Sequence, residues 1–240
     1  MTAGNDPRTK VATGCRVLAA RGLVRGVLGH VSARSGPDRY LIRCRGPQER
    51  GLHRSEPADV QLIDGAGRLV TDEGADPSWA VPKEFPIHTV LYRLRPEVGA
   101  VVHAHPPDAL LAGLAGLQPR PVFGAFNIPA MRMAVDGVPV HPRSVLITRD
   151  ELAEEMAASM GSSTVCILRG HGITVAGPTV EAAVVAAVNL NELLSVTVEL
   201  ARLGAAPPDV PEQDLAELPD LGPGFNDLLA WQALVAETEG

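Results

Sequence analysis

Strong hairpin signals interrupt the alternation of strand and helix patterns along this chain, and they limit the folds that it can adopt. The clearest is ADVQLIDGAGRLV (residues 58–70), in which two apolar segments flank Asp-Gly turn chemistry. STVCILRGHGITVAG (163–177) is a second such pair, and RYLIRCR (39–45) is a further strand. Because hairpins join antiparallel strands, the pattern predicts a mixed or antiparallel sheet with helices packed on it, in a single domain over residues 1–240.

Helical patterns separate these hairpins. Apolar positions recur at helical spacing over 7–22, and a helix of about three turns is predicted over 82–95, ahead of Pro96. GAVVHAH (99–105) is predicted to be a buried strand. The other expectations are a helix from 106, a strand leading into an amphipathic helix over 144–161, a long helix over 178–203 begun by Pro178 and Glu181, and a Pro- and acid-rich segment from about 205 before a short helix containing Trp231.

Composition narrows the class of protein. The formal net charge of -7 argues against nucleic acid or an anionic membrane as a partner. No uninterrupted apolar run reaches the roughly 18 residues of a membrane span, and the opening MTAGNDPRTK lacks a signal-peptide core. Cys15, Cys44 and Cys166 are widely spaced and fit small core residues in a reducing compartment. We therefore expect a cytoplasmic protein.

The segment GAVVHAHPP (99–107) carries two histidines. Alternate residues of a strand project from the same face, so His103 and His105 are predicted to point the same way. Such a pair at a strand end is a recurrent way to present two imidazoles to one divalent metal. The alternative is a structural pair of hydrogen-bonded residues, and a third ligand is needed to decide.

His171 is the candidate for that third ligand. It lies in LRGHGITVAG (168–177), in a turn where Gly170 and Gly172 permit a close approach of the backbone. A histidine in a surface turn is the alternative. Three histidines with an open coordination position are typical of a catalytic rather than a structural metal site.

Glu84 begins the helix that precedes the strand with the two histidines. It is explained either by the helix dipole, which favours a carboxylate in the first turn, or by a role as general acid/base or fourth ligand beside the metal. His88 lies on the same helix face and could hold that carboxylate in position, or be a buried, hydrogen-bonded residue. His30, His53 and His141 have no spacing that marks them as ligands.

Three blocks of the sequence resemble the signature blocks of the class II aldolase/adducin family, in the same order and at the same spacing. They are RGLVRGVLGHVSAR (21–34), PKEFPIHTVLYRLRPEVGAVVHAHPP (82–107) and LRGHGITVAG (168–177), and the resemblance runs from about residue 8 to 203. It implies an α/β fold of three α-β-α layers around a central, largely antiparallel sheet. It also implies a homotetramer with its sites at subunit interfaces.

The resemblance implies a chemistry as well. A divalent metal would be bound by His103, His105 and His171, with Glu84 as the acid/base. Zinc is the metal expected first, with manganese, cobalt or iron as alternatives, because a set of neutral imidazoles does not discriminate among them.

The sequence departs from the family members that cleave sugar phosphates. Gly29-His30 stands where those aldolases commonly have Gly-Asn, IRCRG (42–46) stands about where they have Thr-Gly, and Pro82-Lys83 replaces a Ser-Ser pair. The donors suited to a phosphate are largely gone. We predict that a small anionic substrate is bound instead by Gly29, His30, Arg43, Arg45 and Lys83, since arginine suits a planar carboxylate; surface charges are the alternative.

Two further features favour a different leaving group. The tyrosine that protonates the leaving aldehyde in the aldolases is absent, and Met133 is at the nearest matching position. The blocks 21–34, 41–52 and 121–140 look most like the branch of dihydroxyphthalate-type decarboxylases. The resemblance therefore implies a metal-dependent carbon–carbon lyase that decarboxylates an ortho-hydroxy aromatic acid, with charge developing on a metal-bound phenolate or enolate.

Three other functions remain open from the sequence. The same metal set suits an aldolase or epimerase acting on a small hydroxy-keto or sugar-phosphate substrate. An adducin-like assembly protein without chemistry is a second alternative, although such proteins usually lose a metal histidine. An oxygen-using iron enzyme is the third, because three histidines with open positions also suit Fe(II).

Overall fold

The computed structural model describes residues 6–70, 76 and 78–238, and its centre is a seven-stranded sheet in the order β3-β2-β1-β4-β7-β6-β5. All neighbouring strands are antiparallel except β5 and β6, which are parallel. This confirms the predicted, largely antiparallel sheet. The strands are β1 (His30–Gly36), β2 (Arg39–Arg43), β3 (Val60–Ile63), β4 (Ala100–Ala104), β5 (Val140–His141), β6 (Val165–Leu168) and β7 (Gly172–Gly177).

Helices cover both faces of this sheet and make the predicted three layers. The helices are α1 (Pro7–Ala20), α2 (Phe85–Leu94), α3 (Pro107–Ala115), α4 (Ile128–Val135), α5 (Asp150–Met160), α6 (Val180–Arg202), α7 (Glu212–Glu217) and α8 (Ala230–Ala236). Helices α1, α3, α4, α6 and α8 contribute to a core on one face, and α2 and α5 to a core on the other. Val102 faces the first core and Val101 the second, as strand alternation requires for a sheet buried on both sides.

The structure corrects two predicted strands. The second half of the 58–70 hairpin is reduced to an isolated bridge between Ile63 and Leu69. No strand forms at 144–149, and β5 takes the edge of the sheet beside β6 instead. In that segment the Ile147 amide donates to the Glu84 carboxylate and not to a neighbouring strand. Helix α4 was not predicted; Asn127 begins it by accepting from the Ala130 amide.

The long helix α6 starts differently from the sequence prediction. Its N-cap is Thr179, whose hydroxyl accepts from the Ala182 amide at 3.2 Å. Glu181 is not a capping group but forms a 2.7 Å ion pair with Lys10 of α1. The pair ties the two helices together on one face of the sheet.

Helix α6 is also long and apolar enough to cross a membrane by length and composition alone. No uninterrupted apolar run marks this helix in the sequence, because polar residues are spaced along it. Its apolar residues, including Val184, Leu190 and Leu194, are buried in the core with α1, α3 and α4. A central helix of a globular protein passes the same test, so this feature is weak evidence for a membrane span.

The C-terminal part of the chain follows the prediction in outline. Helix α7 interrupts the Pro- and acid-rich segment, and a stretch of π-helix, Gly224–Leu229, leads into α8. Trp231 lies in α8, as predicted, and packs against the core that α6 helps to form.

Candidate active site

Three neighbouring strands bring the predicted histidines to one end of the sheet. In the antiparallel register, His30 of β1 is directly opposite His103 of β4, and Thr174 of β7 is opposite His103 on the other side. His105 follows the last residue of β4, and His171 lies in the turn between β6 and β7. The predicted projection of His103 and His105 to the same side is seen: their Nε2 atoms are 2.9 Å apart.

A close backbone contact makes this approach of β4 and β7 feasible. A Cβ atom on Gly172 would lie 2.2 Å from the carbonyl oxygen of Ala104 and 3.1 Å from Cδ2 of His105. Gly172 is therefore needed where the turn with His171 passes the end of β4, as the glycine-flanked pattern indicated.

Glu84 reaches the same place from the other layer. It is the N-cap residue of α2, yet its side chain makes no capping hydrogen bond. Instead Oε1 accepts from the Ile147 amide at 2.9 Å, and Oε2 lies 3.4 Å from Nε2 of His103 and 3.5 Å from Nε2 of His171. The explanation by helix dipole alone is therefore insufficient, because this carboxylate is held towards the histidines.

Glu84, His103, His105 and His171 form one cluster, which we call the four-residue cluster. Each offers one ligand atom, and these atoms all lie within 4.8 Å of one another. Glu84 and His103 are buried, and the other two are partly buried. Imidazole nitrogens and a carboxylate oxygen converging at this distance are a donor set suited to a divalent cation.

Hydrogen bonding around the cluster supports this assignment. Nδ1 of His103 donates to the carbonyl oxygen of Ile173 at 3.0 Å, so its Nε2 presents a lone pair to the cluster. Both ring nitrogens of His171 are buried without a hydrogen-bond partner among the described residues. Buried polar atoms rarely stay unpaired. The residues present therefore fit a metal ion, which would satisfy the nitrogen of His171 that faces the other two histidines.

The electrostatics of the cluster favour a neutral His105 beside an ionised Glu84. Burial, together with the neighbouring His103 and His171, lowers the pKa of His105 to about 3. Burial would raise the pKa of Glu84, but the rings of His103 and His171 beside its carboxylate outweigh this effect and hold that pKa far below its usual value. Glu84 is therefore a carboxylate at neutral pH, and not the carboxylic acid that proton delivery requires.

Both ring nitrogens of His88 pair with residues other than Glu84, so His88 does not hold that carboxylate by a hydrogen bond as its position on α2 suggested. Its Nε2 lies 2.6 Å from Nδ1 of His30, and its Nδ1 lies 2.6 Å from Oγ of Ser32. Ser32 Oγ in turn lies 2.7 Å from the hydroxyl oxygen of Tyr92. His88 is completely buried, and burial lowers its pKa to about 3. These four residues form a continuous hydrogen-bonded chain, which we call the His30 chain.

The spacing of these four residues in the sequence was itself a signal for the His30 chain. Residues 30 and 32 lie on the same face of a strand, and 88 and 92 are four apart on one face of a helix. Ser32 and Tyr92 are therefore the residues that sequence reasoning missed. The contact between the two pairs depends on how α2 packs across β1.

The predicted anion-binding residues are not all brought together. His30 is the member at the cluster, with its ring centroid 5.1 Å from that of His103. Gly29 adopts a φ of 91° just before it. Arg43 is buried, and its guanidinium pairs with Glu49 at 2.5 Å, while Arg45 and Lys83 are exposed. Within the described ranges, no hydrogen bond or ion pair links those three cations to the four-residue cluster.

Residues 9–198 match the family described as Class II Aldolase and Adducin N-terminal domain. The chain belongs to this family, which confirms the resemblance found in its sequence blocks. The structure agrees: the L-fuculose 1-phosphate aldolase of Glaciozyma antarctica PI12 superposes with a TM-score of 0.76 at 18% identity, covering 95% of this chain and 88% of that one. An aldolase II superfamily protein from Pseudomonas syringae gives 0.78 at 24% identity, covering 97% and 92%. At these identities the likeness concerns the fold alone.

Curated relatives of higher identity share one name, 3,4-dihydroxyphthalate decarboxylase. The chain is 50% identical to that of Terrabacter sp. (strain DBF63), with 95% of each chain covered. It is 48% identical to that of Arthrobacter keyseri, covering 94% of this chain and 91% of the relative. The Rhodococcus jostii (strain RHA1) protein is 42% identical, over 95% and 94%.

Proposed function

We propose that this protein is a metal-dependent carbon–carbon lyase that decarboxylates an ortho-hydroxy aromatic carboxylic acid of the dihydroxyphthalate type. The observation that carries this proposal is the identity of 42–50%, over 94–95% of the chain, to three proteins named 3,4-dihydroxyphthalate decarboxylase. The retained four-residue cluster supplies the chemistry that such a reaction needs. Both lines support the predicted lyase.

His103, His105 and His171 would hold one divalent metal ion, which we propose to be zinc because three neutral imidazoles with an open position are typical of catalytic zinc. Bound there, the ion would supply a Lewis acid that stabilises negative charge developing on substrate oxygens. The hydrogen bond from His103 Nδ1 to Ile173 orients one of the three imidazoles for this task.

Glu84 is the group we propose to move the proton. As a carboxylate, it can accept the proton of the substrate's ortho hydroxyl when the substrate binds. The Glu84 carboxyl group then delivers that proton to the ring carbon that bears the carboxylate, and Glu84 returns to its ionised state. The bond from this carbon to the carboxylate breaks, CO2 leaves, and the electron pair restores the aromatic ring with its negative charge on the ortho oxygen. The product leaves as the phenolate and takes a proton from water. The Ile147 amide holds Oε1 in place meanwhile.

We propose that His30 and the Gly29 backbone bind the anionic part of the substrate, because they lie beside the four-residue cluster. Lys83 precedes Glu84 and is exposed, so it can add long-range attraction for an anion. Arg43 is paired with Glu49, so only the exposed Arg45 is assigned the weaker role of contributing positive potential.

The remaining proposals concern the whole molecule. We propose that residues 1–240 form one domain, that the protein works in the cytoplasm, and that it assembles as a homotetramer with its sites at subunit interfaces. They follow the sequence expectations and are supported by family membership.

A CO2-release assay on the purified, zinc-loaded protein tests the proposal. With 3,4-dihydroxyphthalate we expect loss of the carboxylate next to the 3-hydroxyl, giving CO2 and 3,4-dihydroxybenzoate in equal amounts. Glu84→Gln should lower kcat by about 100-fold or more, because the amide can neither accept nor return the proton. Glu217→Gln, the same chemical change at an exposed residue of α7, is the control and should keep kcat within about threefold.

Other products would contradict the proposal. No CO2 from this acid or from a panel of other ortho-hydroxy aromatic acids would exclude it. Pyruvate or an aldehyde formed from hydroxy-keto acids or sugar phosphates would favour the aldolase alternative. Consumption of oxygen would favour the iron enzyme.

A further inference from the structure

The His30 chain is unusual because it is buried along its whole length and ends at the four-residue cluster. Its three links measure 2.6, 2.6 and 2.7 Å, and they join His30, His88, Ser32 and Tyr92 in that order. Ser32 and His88 are completely buried, and His30 keeps 6% exposure. In a buried chain of neutral groups, each of the three hydrogen bonds must contain one hydrogen atom.

The far end of the chain determines which way those hydrogens point. Among the described residues, Ser32 is the one hydrogen-bond acceptor within reach of the Tyr92 hydroxyl. If each group donated its hydrogen to the next group in the direction from His30 to Tyr92, the Tyr92 hydrogen would be buried without an acceptor, which is unfavourable. In the opposite, inward direction, from Tyr92 to His30, Tyr92 donates to Ser32, Ser32 donates to Nδ1 of His88, and Nε2–H of His88 donates to Nδ1 of His30. Each hydrogen then has an acceptor.

The inward direction determines which hydrogen-bonding group His30 presents to the site. Because Nδ1 of His30 is the acceptor in its link, the hydrogen of its neutral ring must be on Nε2. Nε2 has no hydrogen-bond partner among the described residues, and the ring lies 5.1 Å, centroid to centroid, from that of His103. The side chains of the four-residue cluster present lone pairs, as metal ligands do. The Nε2–H group of His30 therefore adds a hydrogen-bond donor beside them.

We propose that Ser32, acting through His88, holds His30 in the neutral form whose Nε2–H donates to the carboxylate that the substrate retains. His30 is thereby the residue that selects an aromatic acid with two adjacent carboxylates. This rests on the proposed function. In 3,4-dihydroxyphthalate the carboxylate that is retained is on the ring carbon next to the carboxylate that is lost. When the reacting carboxylate is held at the four-residue cluster, the retained one therefore lies beside the cluster. Ser32 and His88 are positioning residues, and His30 touches the substrate.

The first test reads the histidine tautomers directly. In the zinc-loaded protein labelled with 15N-histidine, the ring-nitrogen shifts of His30 and His88 are assigned from the signals lost in His30→Gln and His88→Gln. We expect hydrogen on Nε2 and a bare Nδ1 in both rings. Hydrogen on Nδ1 of His30, in a neutral or a charged ring, would overturn the proposal.

A matched pair of serine variants tests the role of Ser32. Ser32→Ala removes the donor to His88, so both rings should become tautomer mixtures. Ser55→Ala is the control, since Ser55 is also buried and its hydroxyl has no partner in the described structure; it should leave both rings unchanged. Unchanged tautomers in a folded Ser32→Ala protein would show that Ser32 does not direct the chain.

The second test measures what His30 recognises. Calorimetric titration of the zinc-loaded protein uses 3,4-dihydroxybenzoate and catechol, which differ only by the retained carboxylate. His30→Ala should weaken binding of the acid about 10- to 100-fold and that of catechol by less than about threefold. His30→Gln keeps an N–H donor and should restore part of the loss. Equal weakening of both ligands, or wild-type protein that binds both equally, would overturn the proposal.

The outcomes separate this inference from the function on which it rests. Wild-type protein that releases no CO2 from 3,4-dihydroxyphthalate would refute the proposed function. Wild-type protein that does release CO2, while His30→Ala binds both ligands as the wild type does, would refute the inference alone.

Discussion

His171 is the imidazole whose surroundings depend most on a bound ion. Both of its ring nitrogens are buried and unpaired among the described residues, whereas His103 has a backbone acceptor and His30 has His88. Removing the His171 ring therefore takes away a proposed ligand without breaking a hydrogen bond seen in the structure.

We expect His171→Ala to lose zinc. The affinity of this variant for zinc should fall by more than roughly 10- to 100-fold, which is the typical loss when the changed group only orients a metal ligand. The measurement is zinc content after dialysis against a graded chelator, with His30→Ala and the exposed His53→Ala as controls that should retain the metal. Loss of zinc in His30→Ala but not in His171→Ala would refute the ligand assignment.

Gly29 is constrained twice, by its backbone and by its neighbours. Its φ is 91°, and an added Cβ would lie 2.7 Å from Cγ1 of Val24 and 3.0 Å from the carbonyl oxygen of His103. Gly26 has a φ of 59° and nothing within 4 Å of its Cβ position. The two glycines share the strain of a positive φ, and only Gly29 adds a steric clash.

We therefore expect Gly29→Ala to destabilise the protein more than Gly26→Ala. The shared strain is worth about 1–2 kcal/mol, and the clash should add about 1–3 kcal/mol because backbone atoms of β4 have to shift. Urea denaturation of both metal-free variants measures the difference. Equal free energies of unfolding would show that the close contact at Gly29 carries no cost.

Helices α1 and α6 are joined by the ion pair between Lys10 and Glu181, and this contact gives the stability a pH dependence. Burial would raise the pKa of Glu181, but the Lys10 ammonium group outweighs it and holds that pKa below its usual 4.5. A carboxyl whose folded pKa is depressed stabilises the fold above its unfolded pKa. That contribution is lost as the pH falls from 4.5 through the folded value.

Glu181→Gln should accordingly cost about 1 kcal/mol of stability at neutral pH, and the cost should shrink towards zero as the pH falls from 4.5 through the folded pKa of Glu181. Unfolding midpoints of the metal-free protein across this range provide the measurement. Glu237→Gln is the matched control, since Glu237 pairs with Arg21 on the exposed surface and should show no measurable change at any pH. A cost for Glu181→Gln that did not vary with pH would argue against the ion pair.

The proposed tetramer concerns the whole molecule and makes a prediction about its surface. Leu110, Leu111 and Leu114 of α3 are exposed, with Leu114 at 59%, and α3 directly follows the strand that ends at His105. Exposed apolar side chains grouped in this way are typical of an interface.

Light scattering should give the mass of four copies of the 25.2 kDa chain. Leu114→Glu should reduce the mass in solution while the secondary structure, measured by circular dichroism, is kept, since this side chain is largely exposed within one chain. Asp108→Ala, at the start of the same helix, is the control. A wild-type monomer would refute the tetramer, and an unchanged mass for Leu114→Glu would place the interface elsewhere.

Local sequence determined most of the strands, the hairpin around His171 and the shared direction of His103 and His105, because strand alternation and turn chemistry act over a few residues. The start of α2 made Glu84 a candidate, and the family blocks implied its role as the acid/base. Only the tertiary structure decided which partners these residues meet: Ile147 holds Glu84, Glu49 pairs with Arg43, and Ser32 links His88 to Tyr92. Each of these contacts depends on how a helix or loop packs across the sheet, and that packing is set by the whole core, so no local pattern encodes it.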